Sequence, residues 1–285
     1  MRIAVCLGNW QLDALAGAAL SLGLDTIRFV RYDVPVADVV VLWNGVDHEE
    51  YIKDHPGQRF LFVEHGWTNQ AESIQVDHLG VNGRASWATE DLIVSKRVPI
   101  QPPTGEAFLV TLQWDDDSQI KDDYLSPVFH SMAEMLAFLE ENLDRPMLVR
   151  GHPKYPASEK AAEIVERCPR MSWDKGSLDD SIRSSRAVVL VNSTCGFHAL
   201  RKFKPVITFG RSVYGSVAGA VYPMAGWKDG GLAVGFRQAV DDVSDSVAGL
   251  NAVAIGAACA RIRGKEWWSN RHLPFKLAAM LGIRP

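Results

Sequence analysis

The stretch from Leu148 to Phe209 constrains the fold more than any other part of the chain. Two short apolar runs, Met147 to Val149 and Ala187 to Val191, are bounded by turn residues, which is typical of buried parallel strands. A helix is predicted from about Gly196 to Lys202, and the chain returns to the sheet at Pro205 to Phe209. This alternation of strand and helix predicts an α/β domain with a parallel sheet.

Polar residues follow these predicted strands at their carboxyl ends. In an open α/β sheet, ligands bind in the crevice outside the carboxyl ends of the strands. We therefore expect one crevice to be lined by Arg150, His152, Asn192, Ser193 and Thr194.

The turn "NST" at Asn192 to Thr194 has two interpretations. Backbone N–H groups at the start of the following helix, with the Ser193 and Thr194 hydroxyls, are suited to hold a phosphate. The same residue types are also the preferred caps of a helix N-terminus. The "RGHP" motif at Arg150 to Pro153, on a neighbouring strand end, favours the anion site.

Strand and helix patterns recur along most of the chain and predict two domains. The proline-rich segment "VPIQPPTGE" breaks regular structure and places a boundary near Pro102 to Gly105. We predict an N-terminal Rossmann-like domain over 1–103 with a parallel sheet, and a second, doubly wound domain over 104–262. Within them, Ala71 to Gly83 is interpreted as a loop, and Ser126 to Glu141 as a helix.

Carboxylates occur at the ends of two predicted strands. Glu64 ends the run "FVEHG", and "QWDDDSQI" follows the strand predicted from Ala107 to Gln113. Side chains alternate along an extended segment, so Asp115 and Asp117 are expected on one face and Asp116 on the other. The sequence has no matching His/Asp cluster elsewhere, and we predict no metal site.

Composition excludes several classes of protein. A chain of 285 residues with 47% hydrophobic residues can form two cores, and a net charge of −4 argues against nucleic-acid binding. Four cysteines without CxxC spacing indicate reduced thiols and a cytoplasmic location. No apolar run reaches the roughly 20 residues of a spanning helix. Six Lys/Arg and one Glu from Arg261 to Pro285, with Trp267 and Trp268, have two interpretations. One is peripheral contact with an anionic membrane on the inner face of the inner membrane, and the other, which is favoured, is packing of these tryptophans in the core.

Five ordered motifs carry a resemblance to a known family. They are "EHG" with "GVNGRAS", "LQWDDDSQI", "RGHP", "VNSTCGFHALRKFKPVITFGRSVY" and "RGKEWWSN". In this order they resemble the capsular polysaccharide synthesis family, whose members include bacterial β-Kdo glycosyltransferases. Bacterial sialyltransferases of related architecture share the D/E-x-G turn and the "HP" pair.

The resemblance implies a GT-B-like fold of two Rossmann-like doubly wound domains facing a cleft. A C-terminal helical segment, 263–285, would pack back on the N-terminal domain. The implied activity is retaining transfer of a 2-keto sugar acid, Kdo, from CMP-Kdo to a bacterial surface polysaccharide or glycolipid. The resemblance implies that no metal ion or other cofactor takes part.

The resemblance also implies roles for individual residues. Asp117 would be the nucleophile, Glu64 the acceptor-side carboxylate, and His152 the group that stabilises the departing phosphate. Residues that would bind the donor are Gln113, Asp116, Arg150, Pro153, Asn192, Ser193, Thr194, Gly196 and Arg211. Trp114 departs from the family pattern, which has a small or branched residue there, and Asp115 is the rival nucleophile.

Other functions fit the same sequence features. One group of alternatives keeps the fold and the transfer reaction but changes the donor, which is then CMP-sialic acid, a UDP-sugar or a GDP-sugar. A non-catalytic module that binds a sugar nucleotide is the remaining alternative, and it predicts nucleotide binding without transfer.

Overall fold

The structure is a computed structural model that describes residues 1–30, 33–43, 48–67, 72–88, 105–214, 219–220, 231–244, 266–268 and 273–283. The chain divides into two compact units. The first comprises Met1–Thr89 and Arg261–Pro285, and the second comprises Glu90–Ala260. Most of the segment in which the boundary was predicted, residues 89–104, lies outside the described residues.

The first unit contains a sheet whose described strands are β1 (Arg2–Cys6), β2 (Asp25–Phe29), β3 (Val39–Trp43), β4 (Arg59–His65), β5 (Ser73–Asp77) and β12 (Glu266–Trp268). Their order across the sheet is β12-β5-β4-β3-β1-β2. Strands β1 to β4 pair in parallel, and the apolar runs of β1, β3 and β4 are buried as expected for a sheet covered on both faces, whereas β2 at the edge is mostly half-buried. The run β2-β1-β3-β4 has the reversal of strand order that defines a doubly wound fold.

Two predictions for the first unit are wrong. The region Ala71 to Gly83 is not all loop, because it contains β5, and the sheet is not wholly parallel, because β5 pairs antiparallel with β4 and β12. The run "SIQVD" carries three polar residues, yet all five residues are buried. Asp77 is satisfied there by hydrogen bonds from the Leu79 and Ser86 amides and from the Ser86 hydroxyl.

The helices of the first unit are α1 (Trp10–Ser21), α2 (His48–Asp54) and α9 (Leu273–Leu281), with a 3-10 turn at Asn82–Arg84. The Asn9 side chain caps α1 by accepting from the Leu12 amide. Leu273, Leu277 and Leu281 of α9 join the hydrophobic core of this unit. The C-terminal segment was predicted to be helical throughout, but it also supplies β12 to the edge of the sheet.

The second unit contains a sheet in which every pairing between described strands is parallel. Its strands are β6 (Phe108–Thr111), β7 (Met147–Arg150), β8 (Met171–Trp173), β9 (Val188–Leu190), β10 (Val206–Thr208) and β11 (Gly219–Ala220). The order β8-β7-β6-β9-β10-β11 is that of a Rossmann sheet. Strand order reverses between β6 and β9, and ligands of such sheets bind at this switch point.

The described helices of the second unit are α3 (Ser118–Lys121), α4 (Met132–Asn142), α5 (Glu159–Arg167), α6 (Leu178–Ser184), α7 (Thr194–Leu200) and α8 (Gly231–Ser244). Helix α4 begins six residues later than predicted, because Ser131 caps it by accepting from the Glu134 amide. The strands and helices enclose a second core that includes Phe108, Leu136 and Phe209. Both units thus have the predicted Rossmann-like α/β fold. Among the described helices, none is long and apolar enough to cross a membrane.

Candidate functional site

A reciprocal amide pair joins the two strand ends at the switch point of the second unit. The Gln113 Nε2 atom, just after β6, donates to the Asn192 Oδ1 atom just after β9 at 2.9 Å. The Asn192 backbone amide donates in return to Gln113 Oε1 at 3.1 Å. We call these two residues the Gln113–Asn192 brace.

Asn192 also ties the loop that follows β6 to the sheet. Its Nδ2 atom donates to the carbonyl oxygens of Gln119 at 3.0 Å and Leu125 at 3.1 Å. The residue is buried, so each of these bonds replaces one that water would otherwise make. Asn192 was predicted to bind the donor, but its side-chain amide is used to shape the loop that carries the three aspartates.

The three aspartates lie in a tight turn rather than along an extended segment. The Asp117 amide donates to the Trp114 carbonyl at 3.0 Å, so the alternation assumed from the sequence does not apply. Asp115 Oδ1 accepts from the Met132 amide at 2.6 Å and so holds the start of α4. Asp116 is exposed and lies 3.4 Å from the Lys121 ammonium.

Asp117 is half-buried and caps α3. Its Oδ1 atom accepts from the Gln119 amide at 2.9 Å and from the Ser118 hydroxyl at 3.4 Å. Both bonds fall on the same oxygen, which leaves Oδ2 as the atom that would act in chemistry. Capping fixes the carboxylate at the carboxyl edge of the sheet.

His152 lies on the loop that follows β7, where it interacts electrostatically with Asp117. Its Nδ1 atom accepts from the Lys154 amide at 3.2 Å. Burial lowers the pKa of the imidazole, the Asp117 carboxylate acts in the opposite direction, and the Lys154 charge adds to the lowering. Asp117 follows β6 and His152 follows β7, so the parallel pairing of these two strands places the predicted nucleophile and the predicted phosphate ligand at the same edge of the sheet.

Arg150 is held by an acidic partner that the sequence did not reveal. Its Nη1 atom donates to Asp174 Oδ2 at 2.6 Å and to the Gly176 carbonyl at 2.8 Å. Burial would raise the pKa of Asp174, but hydrogen bonds from Ser181, the Gly176 amide and Arg150 outweigh it, and the pKa lies below its ordinary value. This ion pair orients the guanidinium after β7 and neutralises part of its charge.

The turn after β9 is fixed by contacts with a buried tyrosine. Ser193 caps α7 by accepting from the Cys195 amide at 3.3 Å, and its carbonyl accepts from the Tyr214 hydroxyl. An added Cβ on Gly196 would lie 2.5 Å from the Tyr214 ring, so glycine is needed there for packing. Thr194 begins α7 and is half-buried. The helix-cap interpretation thus describes what the Ser193 oxygen does in this structure.

Two further residues predicted to bind the donor lie at the same edge of the sheet. Arg211 follows β10, and its guanidinium lies over the Tyr124 ring at 4.4 Å from the centroid. Its backbone amide donates to the Leu125 carbonyl at 2.8 Å. Pro153 is exposed beside His152.

Glu64 lies in the first unit, as the penultimate residue of β4. It is half-buried, and its Oε1 atom accepts from the amide of His65 at 2.8 Å. The imidazole of His65 lies 2.5 Å from the buried Gln11 amide and meets the Trp43 ring edge-on. Glu64 therefore has a defined position at the carboxyl end of its strand.

Sequence reasoning missed the residues that hold the site together. Asp174 and Tyr155 lie outside the five motifs, and Tyr214 is the last residue of the longest motif but was given no role. The clue that was available is that each of them follows a strand end within about six residues. Among the described residues, no group of three or more His, Cys, Asp or Glu side chains could hold a metal ion. A cavity of about 340 Å³ between Asp144 and Ser172 lies at the amino ends of β7 and β8, away from this edge.

Comparisons with known proteins agree with this architecture. Over 202 residues the chain is 24% identical to Protein FixF of Sinorhizobium fredii (strain NBRC 101917 / NGR234), which covers 62% of this chain and 49% of that protein. The chain thus spans about half the length of the curated relative that it matches. The solved structure of Thermosulfurimonas dismutans KpsC, beta Kdo 2,7 transferase, matches with a TM-score of 0.57 and 16% identity over 82% of this chain and 90% of that chain.

A second structure, the beta Kdo 2,4 transferase of Thermosulfurimonas dismutans KpsC, matches with a TM-score of 0.44 and 17% identity over 75% of this chain and 81% of that chain. The first of the two structures shows the GT-B-like fold class that the sequence predicted. The family described as capsule polysaccharide biosynthesis protein matches residues 62–222, which is more than half of the chain and runs from within β4 to beyond β11. The chain therefore belongs to the capsule polysaccharide biosynthesis protein family.

Proposed function

We propose that this protein is a glycosyltransferase that moves Kdo from CMP-Kdo to a surface polysaccharide or glycolipid, with retention of configuration at the anomeric carbon. Family membership and the fold shared with a beta Kdo 2,7 transferase support this proposal. The observation that carries it is the position of Asp117 and His152 after the adjacent parallel strands β6 and β7, at the carboxyl edge of a Rossmann-order sheet and beside its switch point.

Asp117 is the proposed nucleophile. Its Oδ2 atom attacks the anomeric carbon, the bond from that carbon to the phosphate oxygen breaks, and CMP departs with the electron pair. An acceptor hydroxyl then attacks the same carbon, the bond to Asp117 breaks, and the carboxylate is regenerated. Two inversions give net retention. Asp115 is a weaker candidate because its carboxylate holds the start of α4.

Glu64 is the proposed base in the second step. Its carboxylate would take the proton that the acceptor hydroxyl loses as the glycosidic bond forms. Its position at the carboxyl end of β4 in the first unit is fixed by the bond from the His65 amide.

His152, Arg150 and the Ser193–Thr194 turn are the proposed ligands of the CMP phosphate. Each supplies N–H or O–H donors to an oxygen on which negative charge develops as CMP leaves. These donors take the place of a divalent metal ion in this scheme, and we propose that transfer is independent of metal.

The C-terminal segment is proposed to contact an anionic membrane. Its charge of +5 over Arg261 to Pro285 supports this, as does the location of a lipid-linked acceptor at a membrane surface. Trp267 and Trp268 lie in β12, paired with β5, so packing within the first unit is the competing role. Sedimentation with anionic liposomes at low salt separates the two, because a packing role alone predicts that the protein stays in the supernatant.

Calorimetry and a donor screen test the proposed function. CMP should bind the full chain, UMP and GMP should bind much more weakly, and CMP-Kdo with a Kdo-terminated or lipid acceptor should give a product detected by mass. Tight UMP or GMP binding without CMP binding would contradict the donor. CMP binding with neither hydrolysis nor transfer would identify a non-catalytic sugar-nucleotide module instead.

A further inference from the structure

Three rings form a continuous stack at the edge of the candidate site. Trp114, after β6, stacks on Tyr155 with 4.4 Å between centroids and 15° between planes. Tyr155 in turn stacks on His152 with 5.1 Å between centroids and 25° between planes. Trp114 is 37% exposed and Tyr155 is 40% exposed, so the stack lies at the surface of the unit rather than in its core.

A backbone hydrogen bond fixes which nitrogen of His152 carries the proton. The Lys154 amide can only donate, so Nδ1 must accept through its lone pair. The ring proton of the neutral imidazole is then on Nε2, on the far side of the ring from this bond. A proton on Nδ1 would oppose the Lys154 N–H and break the bond.

We propose that Tyr155, backed by Trp114, is a positioning residue that holds the His152 ring where Nδ1 meets the Lys154 amide and Nε2–H is presented to an anionic oxygen of the substrate. The inference rests on the proposed function in one respect: the anionic oxygen is assigned to the phosphate of the donor. It also gives Trp114, the residue that departs from the family pattern, a role of its own.

The same stack connects the loops that carry the two reacting groups. The Trp114 carbonyl accepts from the Asp117 amide at 3.0 Å, so the indole belongs to the turn that places the nucleophile. Tyr155 lies three residues after His152, and its ring joins that turn to the loop after β7. Loss of the tyrosine ring would therefore loosen both loops, and would disturb His152 most directly.

The charges around His152 predict what happens when the ring contact is lost. Asp117 favours the protonated imidazole, whereas Lys154 and burial favour the neutral one. The Tyr155 ring contributes to that burial by covering one face of the imidazole. Without it, water reaches the ring, the influence of Asp117 dominates, and the pKa of His152 rises.

The test compares Tyr155→Leu with Tyr155→Phe, since leucine removes the ring and phenylalanine keeps it. Nitrogen NMR of the full chain without nucleotide reports the tautomer and the pKa of His152, and the variant His152→Gln identifies its signals among the eight histidines. Tyr155→Leu should raise this pKa, lose the single Nε2–H tautomer, move the pH profile of transfer upward, and lower kcat about tenfold or more. Tyr155→Phe should restore wild-type behaviour in each respect.

The two kinds of readout separate this proposal from the proposed function. An unchanged His152 tautomer and pKa in a folded Tyr155→Leu protein would overturn the positioning role, whatever the activity. A changed tautomer and pKa in Tyr155→Leu, together with a wild-type protein that binds no CMP and transfers no sugar, would support the positioning role and overturn the proposed function. Loss of activity in Tyr155→Phe equal to that in Tyr155→Leu would show that the hydroxyl acts, and would also overturn it.

Discussion

Each unit contains a Gln–Asn pair with the same hydrogen-bond pattern, but the two pairs join very different parts of the chain. In the first unit, Gln75 Nε2 donates to Asn82 Oδ1 at 2.7 Å, and the Asn82 amide donates to Gln75 Oε1 at 2.8 Å. In the second unit the Gln113–Asn192 brace repeats this arrangement at 2.9 and 3.1 Å. The first pair spans seven residues and the second spans 79.

The difference shows that the same pair of hydrogen bonds stabilises a loop in the first unit and the candidate site in the second. The Gln75–Asn82 pair fixes a short connection after β5, with Asn82 in the left-handed region at φ 53°. The Gln113–Asn192 brace joins two strands that are adjacent in the sheet and distant in sequence, at the point where Rossmann sheets bind ligands. We therefore expect damage to the second pair to affect the donor site and damage to the first to remain local.

The largest effect is expected when Asn192 is replaced by alanine. Asn192→Ala removes the donor to the buried carbonyls of Gln119 and Leu125 and the acceptor for Gln113. The Leu125 carbonyl keeps its bond from the Arg211 amide, but the Gln119 carbonyl and the Gln113 side-chain amide each lose a partner. Because each such loss costs roughly 1 to 3 kcal/mol, the free energy of unfolding should fall by about 3 kcal/mol. Denaturant unfolding measures this loss, and CMP binding by calorimetry should fall with it.

The matched change in the first unit is Asn82→Gly. Glycine accepts the positive φ and keeps the backbone bond to Gln75, whose Nε2 atom still donates to the His65 carbonyl. The free energy of unfolding should fall by about 1 kcal/mol, with CMP affinity unchanged. Equal losses of CMP affinity in the two variants would contradict the distinction between the pairs.

A second prediction uses glycines to compare packing in the two units. Gly196→Ala places a Cβ 2.5 Å from the Tyr214 ring and should destabilise the second unit by about 1 to 3 kcal/mol. Gly17→Ala, in α1 of the first unit, meets no atom within 4 Å and should stabilise it by roughly 0.5 to 1 kcal/mol. Hydrogen exchange measured unit by unit checks both signs, and a stable Gly196→Ala protein would show that Tyr214 can move aside.

A third and smaller effect concerns acid stability of the second unit. The pKa of Asp174 is lower in the folded state than its ordinary value of 3.8, so its contribution to stability is present above that value and is lost as pH falls through the folded pKa. Asp174→Asn removes this contribution. The variant should be less stable at pH 7, and its unfolding free energy should change less between pH 5 and 3 than that of the wild type. Parallel pH curves for the two proteins would contradict the lowered pKa.

Local patterns predicted most strands because buried parallel strands are short apolar runs. Strands β7, β9 and β10 begin and end within one residue of the predicted bounds. Strand β5 was missed because its polar residues are satisfied by partners up to nine residues away, which no periodicity reveals. The edge strand β12 was missed because its pairing with β5 joins segments almost 200 residues apart.

For the site, the sequence identified the strand ends and the structure supplied their partners. Asp117 and His152 were selected by motif, and they lie at one edge of the sheet because they follow β6 and β7, parallel strands that end together. The turn at Asp115 to Asp117 was assumed to be extended because nothing local marks the bond from the Asp117 amide to the Trp114 carbonyl. Arg150 pairs with Asp174 because β7 and β8 are neighbours in the sheet, and the order of strands in a sheet is not visible in local sequence.

The most direct test of the central claim is intact-protein mass spectrometry of the full chain with CMP-Kdo and no acceptor. The account predicts one added Kdo residue on the wild type, mapped by peptide sequencing to Asp117. Asp117→Asn should retain the α3 cap and CMP binding but show neither adduct nor transfer, because asparagine caps a helix about as well as aspartate. Asp123→Asn, at an exposed carboxylate six residues away, serves as the control and should behave as the wild type. An adduct on another carboxylate, or full activity in Asp117→Asn, would contradict the account.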